Sequence, residues 1–510
     1  MNLRGELSQL YRFAQSHKDL YIYGIGDYAE KCIWLLNFKG IHVTGFIQSR
    51  LTKKSFYSLH VYDADMLLPT LSDQSGIILA MHPASQSDLQ DQLKYSSISF
   101  FSMTPKIHSE IKKIQFSLEM STLGGKYPAT SYTFPNNWKK ILVVRIDRLG
   151  DLIWTTAFFR ELRRFMPKAY ITAVVSKEFI QIMELCPYVN QILGFDTSKI
   201  SDKYEDRNEL YRYIEEYANC NLTQPDYDVV FLPRGIMAND MIHNILLAVY
   251  SGAPIRIGNW FELRKKVDPM LRETLRDVFS ILVDHEKPSH EVNKILDMLR
   301  AIGAEIIDDR TELWMSNKIE KTIPCWPELM TARKNRKWMA AIGISANVVQ
   351  RSWNPKNYRE LFTLLKQQDI CFVLCGGEEA VQAAQISYIE ENCIDLTGKT
   401  NIFQIMRVIE CCDVYVGSDT GLAHIAAAFR KPAVELFLQF PWEDDGNMYS
   451  SPVRCGAWRT KTIFLQPTKA ADDKCFENGY CISNDSHCIN MISVVRVKEA
   501  VEKMLHWICA

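Results

Sequence analysis

An acidic residue in a glycine turn is the first feature of this sequence that could carry out chemistry. An apolar, β-branched run from Ile141 to Ile146 predicts a buried strand, and a turn that contains Gly150 and Asp151 follows it. Apolar residues at helical spacing come next and end at Pro167, so the turn joins a strand to a helix. Such a turn places Asp151 at the carboxyl edge of a parallel sheet, where open α/β sheets bind ligands and do chemistry. The simpler interpretation is that Asp151 only caps the helix.

A second glycine turn has the composition of an anion-binding site. The predicted strand Asp413–Val416 is followed by residues 417–421 (GSDTG), which open another helix. A helix start of this kind leaves the amides of Thr420 and Gly421 free to hold a phosphate. The guanidinium of Arg351, upstream in the chain, suits bidentate phosphate binding.

The composition is that of a folded protein with several cores. The chain has 510 residues, of which 47% are hydrophobic and 23% are charged, and this length favours about three domains. A formal net charge of −1 provides no field that would hold nucleic acid, so a nucleic-acid role is not supported. No apolar run approaches the roughly 18–20 residues of a membrane span, and the start of the chain lacks the apolar core of a signal peptide. We therefore expect a cytosolic protein whose 14 cysteines are reduced.

Strand and helix patterns alternate along the chain, which predicts an α/β fold with parallel sheets. We divide the sequence into four parts: a small Rossmann-like domain over 1–118, a linker rich in Gly, Ser, Thr, Pro and Asn over 119–138, and two further Rossmann-like domains over 139–330 and 331–510.

The first domain carries the pattern GxGxxA at Gly24, Gly26 and Ala29. These glycines either place a helix start against a phosphate or only allow a tight strand–helix turn. The second strand ends in Gln48, where a dinucleotide site would have an acid that holds the ribose. This departure argues against NAD binding.

Five segments, taken together in chain order, carry a family resemblance: 141–175 (ILVVRIDRLGDLIWTTAFFRELRRFMPKAYITAVV), 186–193 (CPYVNQIL), 252–258 (GAPIRIG), 350–361 (QRSWNPKNYREL) and 414–437 (VYVGSDTGLAHIAAAFRKPAVELF). Together with a helix headed by His290, they resemble the heptosyltransferases of glycosyltransferase family 9. The resemblance implies a GT-B fold, in which two Rossmann-like domains face each other. It also implies a metal-independent, inverting transfer from an ADP-activated heptose or a related sugar nucleotide, with no cofactor required.

The resemblance implies a role for each of the two turns. Asp151 matches the family's base, which takes the proton of the acceptor hydroxyl, and Asp419 matches an acid that contacts sugar hydroxyls. Arg351 falls where the family has a cation that neutralises the phosphate, which the amides of Thr420 and Gly421 would also hold. Further donor-side residues are predicted at strand ends and helix starts: Ser345, Glu378, Thr397, Ser418 and His424. A packed helix histidine is an equally good interpretation of His424, and a solvated first-turn acid of Glu378.

Two arginines are predicted on the acceptor side. Arg148 precedes Asp151 in the first turn, and Arg234 follows a strand end of the same domain, where either could contact an anionic group of the acceptor. The alternative for Arg234 is a surface salt bridge. The implied acceptor is a glycan or glycolipid, such as a lipid-linked core. Such an acceptor would bring a cytoplasmic enzyme into peripheral contact with the inner membrane.

Cysteines cluster near the end of the chain. Cys475, Cys481 and Cys488 are separated by five and six residues, with Cys455 upstream and His487 adjacent. Four soft ligands could hold zinc or iron, or the thiols could form disulfides. The spacing is looser than in the CxxC pairs of ordinary zinc sites, so we favour plain thiols and no metal.

Two other classes of protein are compatible with parts of the sequence. One is a catalytically silent sugar-nucleotide-binding or scaffold protein, against which the combined presence of Asp151, Arg351 and Asp419 argues. The other is an NAD-dependent oxidoreductase built on the glycines of the first domain. Gln48, in place of an acid that would hold the ribose, argues against this interpretation.

Overall fold

The computed structural model of the chain describes residues 5–94, 96, 98–130, 138–200, 207–222, 226–236, 242–260, 274–285, 287–315, 319–388, 392–443 and 450–509. Within these residues the strands form three six-stranded sheets. In each sheet, consecutive strand residues pack into two different apolar clusters. In the second sheet, for example, Ile141 and Val143 join one cluster and Leu142 and Val144 the other. Both faces are therefore covered, as a mostly parallel α/β sheet requires, and the predicted fold class is confirmed.

The first sheet has the strand order β3-β4-β2-β1-β5-β6 and is parallel except where β3 pairs with β4. Its strands are β1 (Asp19–Tyr23), β2 (Gly45–Gln48), β3 (Ser55–Phe56), β4 (Leu59–Asp63), β5 (Ser75–Leu79) and β6 (Ser99–Ser102). Its helices are α1 (Glu6–Gln15), α2 (Asp27–Phe38), α3 (Ala64–Leu67), α4 (Ser87–Lys94) and α5 (Pro105–Lys126).

The second sheet is parallel throughout, in the order β12-β11-β10-β7-β8-β9. Its strands are β7 (Lys140–Arg145), β8 (Tyr170–Ser176), β9 (Gln191–Phe195), β10 (Val229–Ile236), β11 (Ile255–Trp260) and β12 (Ile281–Asp284). Its helices are α6 (Leu149–Phe165), α7 (Ile180–Met183), α8 (Arg207–Asn221), α9 (Ile242–Tyr250) and α10 (Glu291–Arg300). We call this part of the structure the first lobe.

The third sheet is also parallel throughout, in the order β15-β14-β13-β16-β17-β18. Its strands are β13 (Trp338–Gly343), β14 (Ile370–Cys375), β15 (Cys393–Asp395), β16 (Val414–Ser418), β17 (Ala433–Leu436) and β18 (Thr462–Leu465). The associated helices are α11 (Trp326–Asn335), α12 (Pro355–Leu364), α13 (Val381–Ser387), α14 (Ile402–Cys411), α15 (Gly421–Ala428), α16 (Pro452–Cys455), α17 (Asp473–Asn478) and α18 (Val494–Cys509). We call this part the second lobe.

The linker predicted over 119–138 begins too early, because residues 119–126 form the end of α5. Phe116 and Met120 of this helix are buried in the apolar cluster of the first lobe. A methyl group at Gly124 would lie 2.6 Å from Cβ of Asp277, so this glycine lets the helix approach the lobe closely. Gly124, one of the glycines that suggested a linker, thus serves helix packing. Residues 131–137 lie outside the described part of the chain, and the division into domains stays a prediction.

Strands β12 and β18 are two of the edge strands that were not expected from the sequence. Strand β12 pairs with β11, while residues 261–273 before it lie outside the described part of the chain. Strand β18 extends the third sheet beyond β17. Edge strands are short and half-exposed, so their apolar pattern is weak. Among the described helices, none combines the length and apolar character needed to cross a membrane.

The docking of α5 can be tested with two neighbouring glycines. We expect Gly124→Ala to lower the urea midpoint of unfolding, because the new methyl group clashes with Asp277 at a cost of about 1–3 kcal/mol. Gly125→Ala is the matched control, since no atom lies within 4 Å of its added Cβ. That control should gain up to about 1 kcal/mol from helix propensity. Equal midpoints for the two variants would contradict the docked position of α5.

Candidate active site

A buried arginine holds the first turn. Arg145, the last residue of β7, is 1% exposed, and its Nε donates to the backbone oxygen of Asp151 at 3.1 Å. Its Nη2 also donates to Oδ1 of Asp151 at 3.2 Å. Arg148, not Asp151, is the N-cap residue of α6, so the capping interpretation of Asp151 is wrong. Within the described residues, Oδ2 of Asp151 has no hydrogen-bond partner, and the side chain is 24% exposed.

A second carboxylate shares the charge of Arg145. Oδ2 of Asp147 lies 3.4 Å from Nη1 of Arg145, and Oδ1 of Asp147 forms an ion pair with Arg234. Burial alone would raise the pKa of Asp147, but Arg234 and Arg145 outweigh burial and lower it. Arg234 is thus engaged within the lobe, Arg148 is exposed at the helix start, and an acceptor contact by either stays a prediction.

The second turn joins two residues that the sequence placed far apart. Asp419, 5% exposed, accepts a hydrogen bond from Nη1 of Arg351 at 3.0 Å. The same carboxylate oxygen accepts from the Ser450 hydroxyl at 3.4 Å and from the Cys455 thiol at 3.7 Å. The structure therefore brings together Arg351 and Asp419, which were predicted on the donor side.

The two turns meet across the boundary between the lobes. A methyl group at Gly150 would lie 2.5 Å from Cδ2 of His424, and one at Gly421 would lie 3.2 Å from Cδ2 of Leu149. The His424 ring also packs edge-on against Trp154, with ring centroids 4.7 Å apart. The starts of α6 and α15 thus face each other at close range, and glycine is needed where they touch.

His424 is a packed helix histidine, and the charges of Asp419 and Asp151 both act on it. Burial lowers its pKa, while the charges of Asp419 and Asp151 oppose that shift and Arg351 adds to it. Its Nε2 lies 3.8 Å from Oδ1 of Asp419, and its Nδ1 has no hydrogen-bond partner in the part of the chain that the structure describes. The ring is therefore neutral at ordinary pH.

The end of β13 presents an unused hydroxyl beside the second turn. Oγ of Ser345 is buried and has no hydrogen-bond partner among the described residues. A methyl group at Gly376, just after β14, would lie 3.7 Å from this oxygen. Ser418 ends β16 and is 1% exposed, while the Thr420 hydroxyl lies 3.3 Å from the Tyr415 hydroxyl and does not cap α15. The first-turn amides of α15 are left without a side-chain cap.

Two other predicted donor-side residues lie together along the same edge. The carboxyl carbon of Glu378 would lie 3.1 Å from a methyl group at Gly398, which has φ +65°. Thr397 donates its hydroxyl proton to Oδ1 of Asp395 at 2.7 Å, so it holds the turn after β15. Glu378 and Thr397 thus flank one loop at the carboxyl ends of β14 and β15.

The lobes are also joined behind the two turns. His290, the N-cap of α10, accepts the Val292 N–H at Nδ1, so its Nε2 carries the proton and donates to the Gly456 carbonyl at 2.8 Å. Burial lowers the pKa of His290 to about 3, although the bond to Gly456 opposes the shift. Beside it, Glu291 of the first lobe pairs with Arg454 of the second at 2.7 Å. This buried junction fixes how the turns face each other.

Three residues of the site were missed by sequence reasoning: Arg145, Glu435 and Ser450. Glu435 is fully buried at β17, where burial and the nearby Asp419 raise its pKa well above the usual value. Its Oε2 accepts the Ala457 N–H at 2.9 Å. A charged residue inside an apolar strand was the available signal for Arg145 and Glu435, because such a charge must be paired or neutralised.

Cys455 does not belong with the C-terminal cysteines. Its thiol lies at Asp419, whereas the fourth member of the cluster is His487, whose Nδ1 lies among the three sulfur atoms. The sequence could not separate them, because β18, which lies between Cys455 and the cluster, was not expected from the sequence.

The glycine turn of the first domain needs no ligand to explain it. A methyl group at Gly24, which has φ +114°, would lie 2.7 Å from the Ala80 carbonyl oxygen. At the start of α2, Asp27 pairs with His108 at 2.8 Å and with Lys112 at 2.9 Å. The tight-turn interpretation accounts for Gly24.

Comparisons with known proteins agree with this arrangement. A family model described as "Glycosyltransferase family 9 (heptosyltransferase)" matches residues 261–476. Lipopolysaccharide heptosyltransferase 3 of Escherichia coli is 22% identical over 60% of this chain and 88% of its own length. Lipooligosaccharide heptosyltransferase 2 of Haemophilus ducreyi is 26% identical over 58% of this chain and 81% of its own length.

Solved structures show the same fold. The glycosyl transferase family 9 protein from Veillonella parvula superposes with a TM-score of 0.57 at 18% identity, covering 74% of this chain and 100% of that one. The Escherichia coli ADP-heptose lps heptosyltransferase II gives a TM-score of 0.51 at 20% identity, covering 73% of this chain and 100% of that one.

Two Rossmann-like lobes, each with an acid in the turn that faces the other lobe, make up the GT-B fold that these solved structures share. The chain is a heptosyltransferase-like glycosyltransferase, similar to glycosyltransferase family 9 over residues 261–476 and to curated heptosyltransferases over about 60% of its length. The family resemblance of the sequence is thereby confirmed.

The contact between the turns can be tested by a double-mutant cycle. We expect Gly150→Ala to lower stability by about 1–3 kcal/mol, because the methyl group overlaps the buried His424 ring. In a His424→Ala background the same change should cost clearly less, since the space is open. Urea unfolding measures both, and Gly26→Ala is a control because nothing lies within 4 Å of its added Cβ. Strict additivity would contradict the contact.

The junction at His290 predicts a pH dependence of stability. Its pKa is about 3 in the folded chain against 6.5 as the ordinary value, so the unfolded chain binds the extra proton first as pH falls. Stability should therefore drop between pH 7 and pH 5, by about 2 kcal/mol for one such imidazole. The lowered pKa of His424 changes stability in the same direction. The pKa of Glu291 is also lowered, and its contribution to stability is lost only when the pH falls below its ordinary pKa of 4.5.

The variant His290→Gln isolates this contribution because an amide can still donate to Gly456. We expect its stability to change less between pH 7 and pH 5 than that of the parent chain, as measured by urea unfolding at both pH values. An unchanged pH dependence would show that His290 is not the buried neutral group.

Proposed function

We propose that this chain is an inverting glycosyltransferase that transfers a heptose, or a related sugar, from an ADP-type sugar nucleotide. The acceptor is a lipopolysaccharide core or another surface glycan. Support comes from relatives with heptosyltransferase names and from the likeness to a structure of the Escherichia coli heptosyltransferase WaaC with ADP, at a TM-score of 0.51 and 16% identity. One observation carries the proposal: Asp151 lies in one turn, and the ion pair of Arg351 with Asp419 lies at the turn that faces it.

Asp151 acts as the general base. Arg145 holds Oδ1, so Oδ2 takes the proton of the acceptor hydroxyl. The acceptor oxygen then forms a bond to the anomeric carbon, while the bond from that carbon to the diphosphate oxygen breaks. The leaving nucleoside diphosphate keeps the bonding electron pair. A one-step displacement of this kind inverts the anomeric centre.

The second lobe receives the negative charge of the leaving group. Arg351 has five N–H donors, so it can keep its bond to Asp419 and still bind a phosphate. The uncapped amides of α15, beginning at Thr420 and Gly421, add further donors and the favourable end of the helix dipole. With this positive charge supplied by the chain, we propose that the transfer needs no metal ion at the diphosphate and no cofactor.

The remaining donor-side residues line the edge of the third sheet. Asp419 accepts hydrogen bonds from sugar hydroxyls, with the neutral His424 ring beside it. The unused Ser345 hydroxyl contacts the diphosphate, and Ser418 shapes the turn beneath it. Glu378 and the loop at Thr397 hold the nucleoside.

The acceptor binds on the first lobe. Arg148, exposed at the start of α6, contacts an anionic group of the acceptor, and Arg234 binds the same group while it keeps its ion pair with Asp147. A lipid-linked acceptor places the enzyme in the cytoplasm, in peripheral contact with the inner membrane. Neither a silent binding protein nor an NAD-dependent oxidoreductase has support among the relatives compared.

The base is tested by Asp151→Asn, which keeps the shape of the side chain and removes the carboxylate. We expect kcat for release of ADP from ADP-heptose, in the presence of acceptor, to fall by about 10²–10⁴-fold. The Kd for ADP should stay within about twofold of the parent value, since Asp151 does not contact the donor. Near-normal turnover of this variant would remove Asp151 from the mechanism.

Arg351→Met is the matched variant with the opposite profile, because it removes the phosphate contact and leaves the base in place. Its Kd for ADP should rise by about 10-fold or more, the range expected for charge-assisted hydrogen bonds. Parallel titrations with GDP and UDP identify the nucleotide. Binding of NAD alone would overturn the proposed function.

A further inference from the structure

Three thiols and one imidazole converge after the last strand of the second lobe. Cys475, Cys481, His487 and Cys488 place their ligand atoms within 4.8 Å of one another. Nδ1 of His487 lies 3.8 Å from the sulfur of Cys475, 3.8 Å from that of Cys481 and 3.5 Å from that of Cys488. In a zinc tetrahedron, bonds of about 2.3 Å to sulfur and about 2.0 Å to nitrogen separate these atoms by roughly 3.6 Å. The three distances from Nδ1 to sulfur thus match the spacing around one ion, and the remaining ligand pairs lie within 4.8 Å.

The surrounding segment has a small apolar core. Its apolar cluster contains only Phe440, Cys475 and Cys488 as buried members among the described residues. Helix α17 is one of its few regular elements. The backbone N–H of Ile482 points at the sulfur of Cys475 at 3.4 Å, a contact that favours a thiolate. Segments with so small a core commonly depend on a metal ion for their fold.

This segment lies directly against the one that carries Arg351. Hydrogen bonds join the two segments: Gln350 Nε2 to the Ser483 carbonyl at 3.2 Å, the Asn354 N–H to Asn490 Oδ1 at 2.8 Å, and the Ser486 hydroxyl to the Ser352 carbonyl. The indole N–H of Trp353 donates to the Ile492 carbonyl at 3.0 Å. Contacts on both sides of Arg351 therefore come from the loop that the four ligands would close.

We propose that Cys475, Cys481, His487 and Cys488 bind one tetrahedral, thiophilic divalent cation, with Zn²⁺ as the ion. The ion closes the loop 475–488, and the closed loop holds the segment 350–354 in place. It thereby positions Arg351 for the donor diphosphate. The metal site itself does not depend on the proposed function, whereas its effect on the donor site rests on it. The ion takes no part in the transfer.

Metal content of the purified full-length chain tests the site. We expect about one zinc per chain by elemental analysis, with less than about one fifth of that in Cys481→Ser and in His487→Asn. Cys220→Ser is the matched control, because Cys220 is an exposed thiol on α8, and it should keep its zinc. One iron per chain with the same dependence would support the site and overturn zinc as its ion.

A titration of the parent chain covers the case in which the variants fail to fold. The metal-free chain, prepared with a chelator, should take up one Co²⁺ and develop the intense visible absorption of tetrahedral cobalt thiolate, which Zn²⁺ then displaces. A parent chain that is purified without stoichiometric metal and takes up neither ion overturns the site. Loss of two hydrogen atoms per cysteine pair by mass spectrometry would assign a disulfide instead and also overturn it.

Affinity for ADP tests the coupling to Arg351. The metal-free chain should bind ADP at least about 10-fold more weakly, and added Zn²⁺ should restore the parent value. In Arg351→Met, removing the metal should change the affinity little. Stoichiometric zinc with no effect on ADP binding overturns the coupling and leaves the site. Stoichiometric zinc in a chain that binds no ADP at all points to failure of the proposed function, not of the site.

Discussion

The close contact between Gly150 and His424 is the constraint on which the site depends. The first lobe supplies a helix start with no side chain at Gly150, and the second lobe fills the space with an imidazole. Because the two helix starts touch there, the charges of Asp151 and Asp419 both act on the same histidine. The proposed base on one sheet and the proposed phosphate site on another become one site only through this contact. The junction of His290 with Gly456 holds it from behind.

The charges around Asp151, the proposed base, explain the residues next to it in the sequence. Arg145 is shared between Asp151 and Asp147, and Asp147 is in turn shared with Arg234. The alternation of acids and arginines divides the charge of Arg145 between two carboxylates, while the hydrogen bonds of Arg145 orient Asp151. Asp147 is therefore linked to Asp151 through Arg145.

Much of the fold could be read from the sequence because strands buried on both faces have nearly continuous apolar runs. That signal located β7 and β16 and the acidic turns that follow them. It failed where packing between distant segments decides the outcome. In the sequence Gly124 resembles a linker residue, but in the fold it packs against Asp277. Cys455 resembles a metal ligand, but in the fold its thiol lies at Asp419. Arg351 and Asp419 were each predicted as donor-side residues. They lie 68 residues apart in the chain, so no local sequence pattern indicates the hydrogen bond between them.

The anion site proposed in the second lobe is built from parts that differ in rigidity. The amides of α15 follow directly from β16, in the middle of the sheet, so the backbone fixes their position. Arg351 lies in a short turn outside the sheet, and its long side chain would lose entropy on binding a phosphate. Its bond to Asp419 and the hydrogen bonds on both sides of it reduce that loss before the donor arrives. The loop of cysteines and histidine therefore contacts the segment that carries Arg351, whose backbone the sheet does not hold.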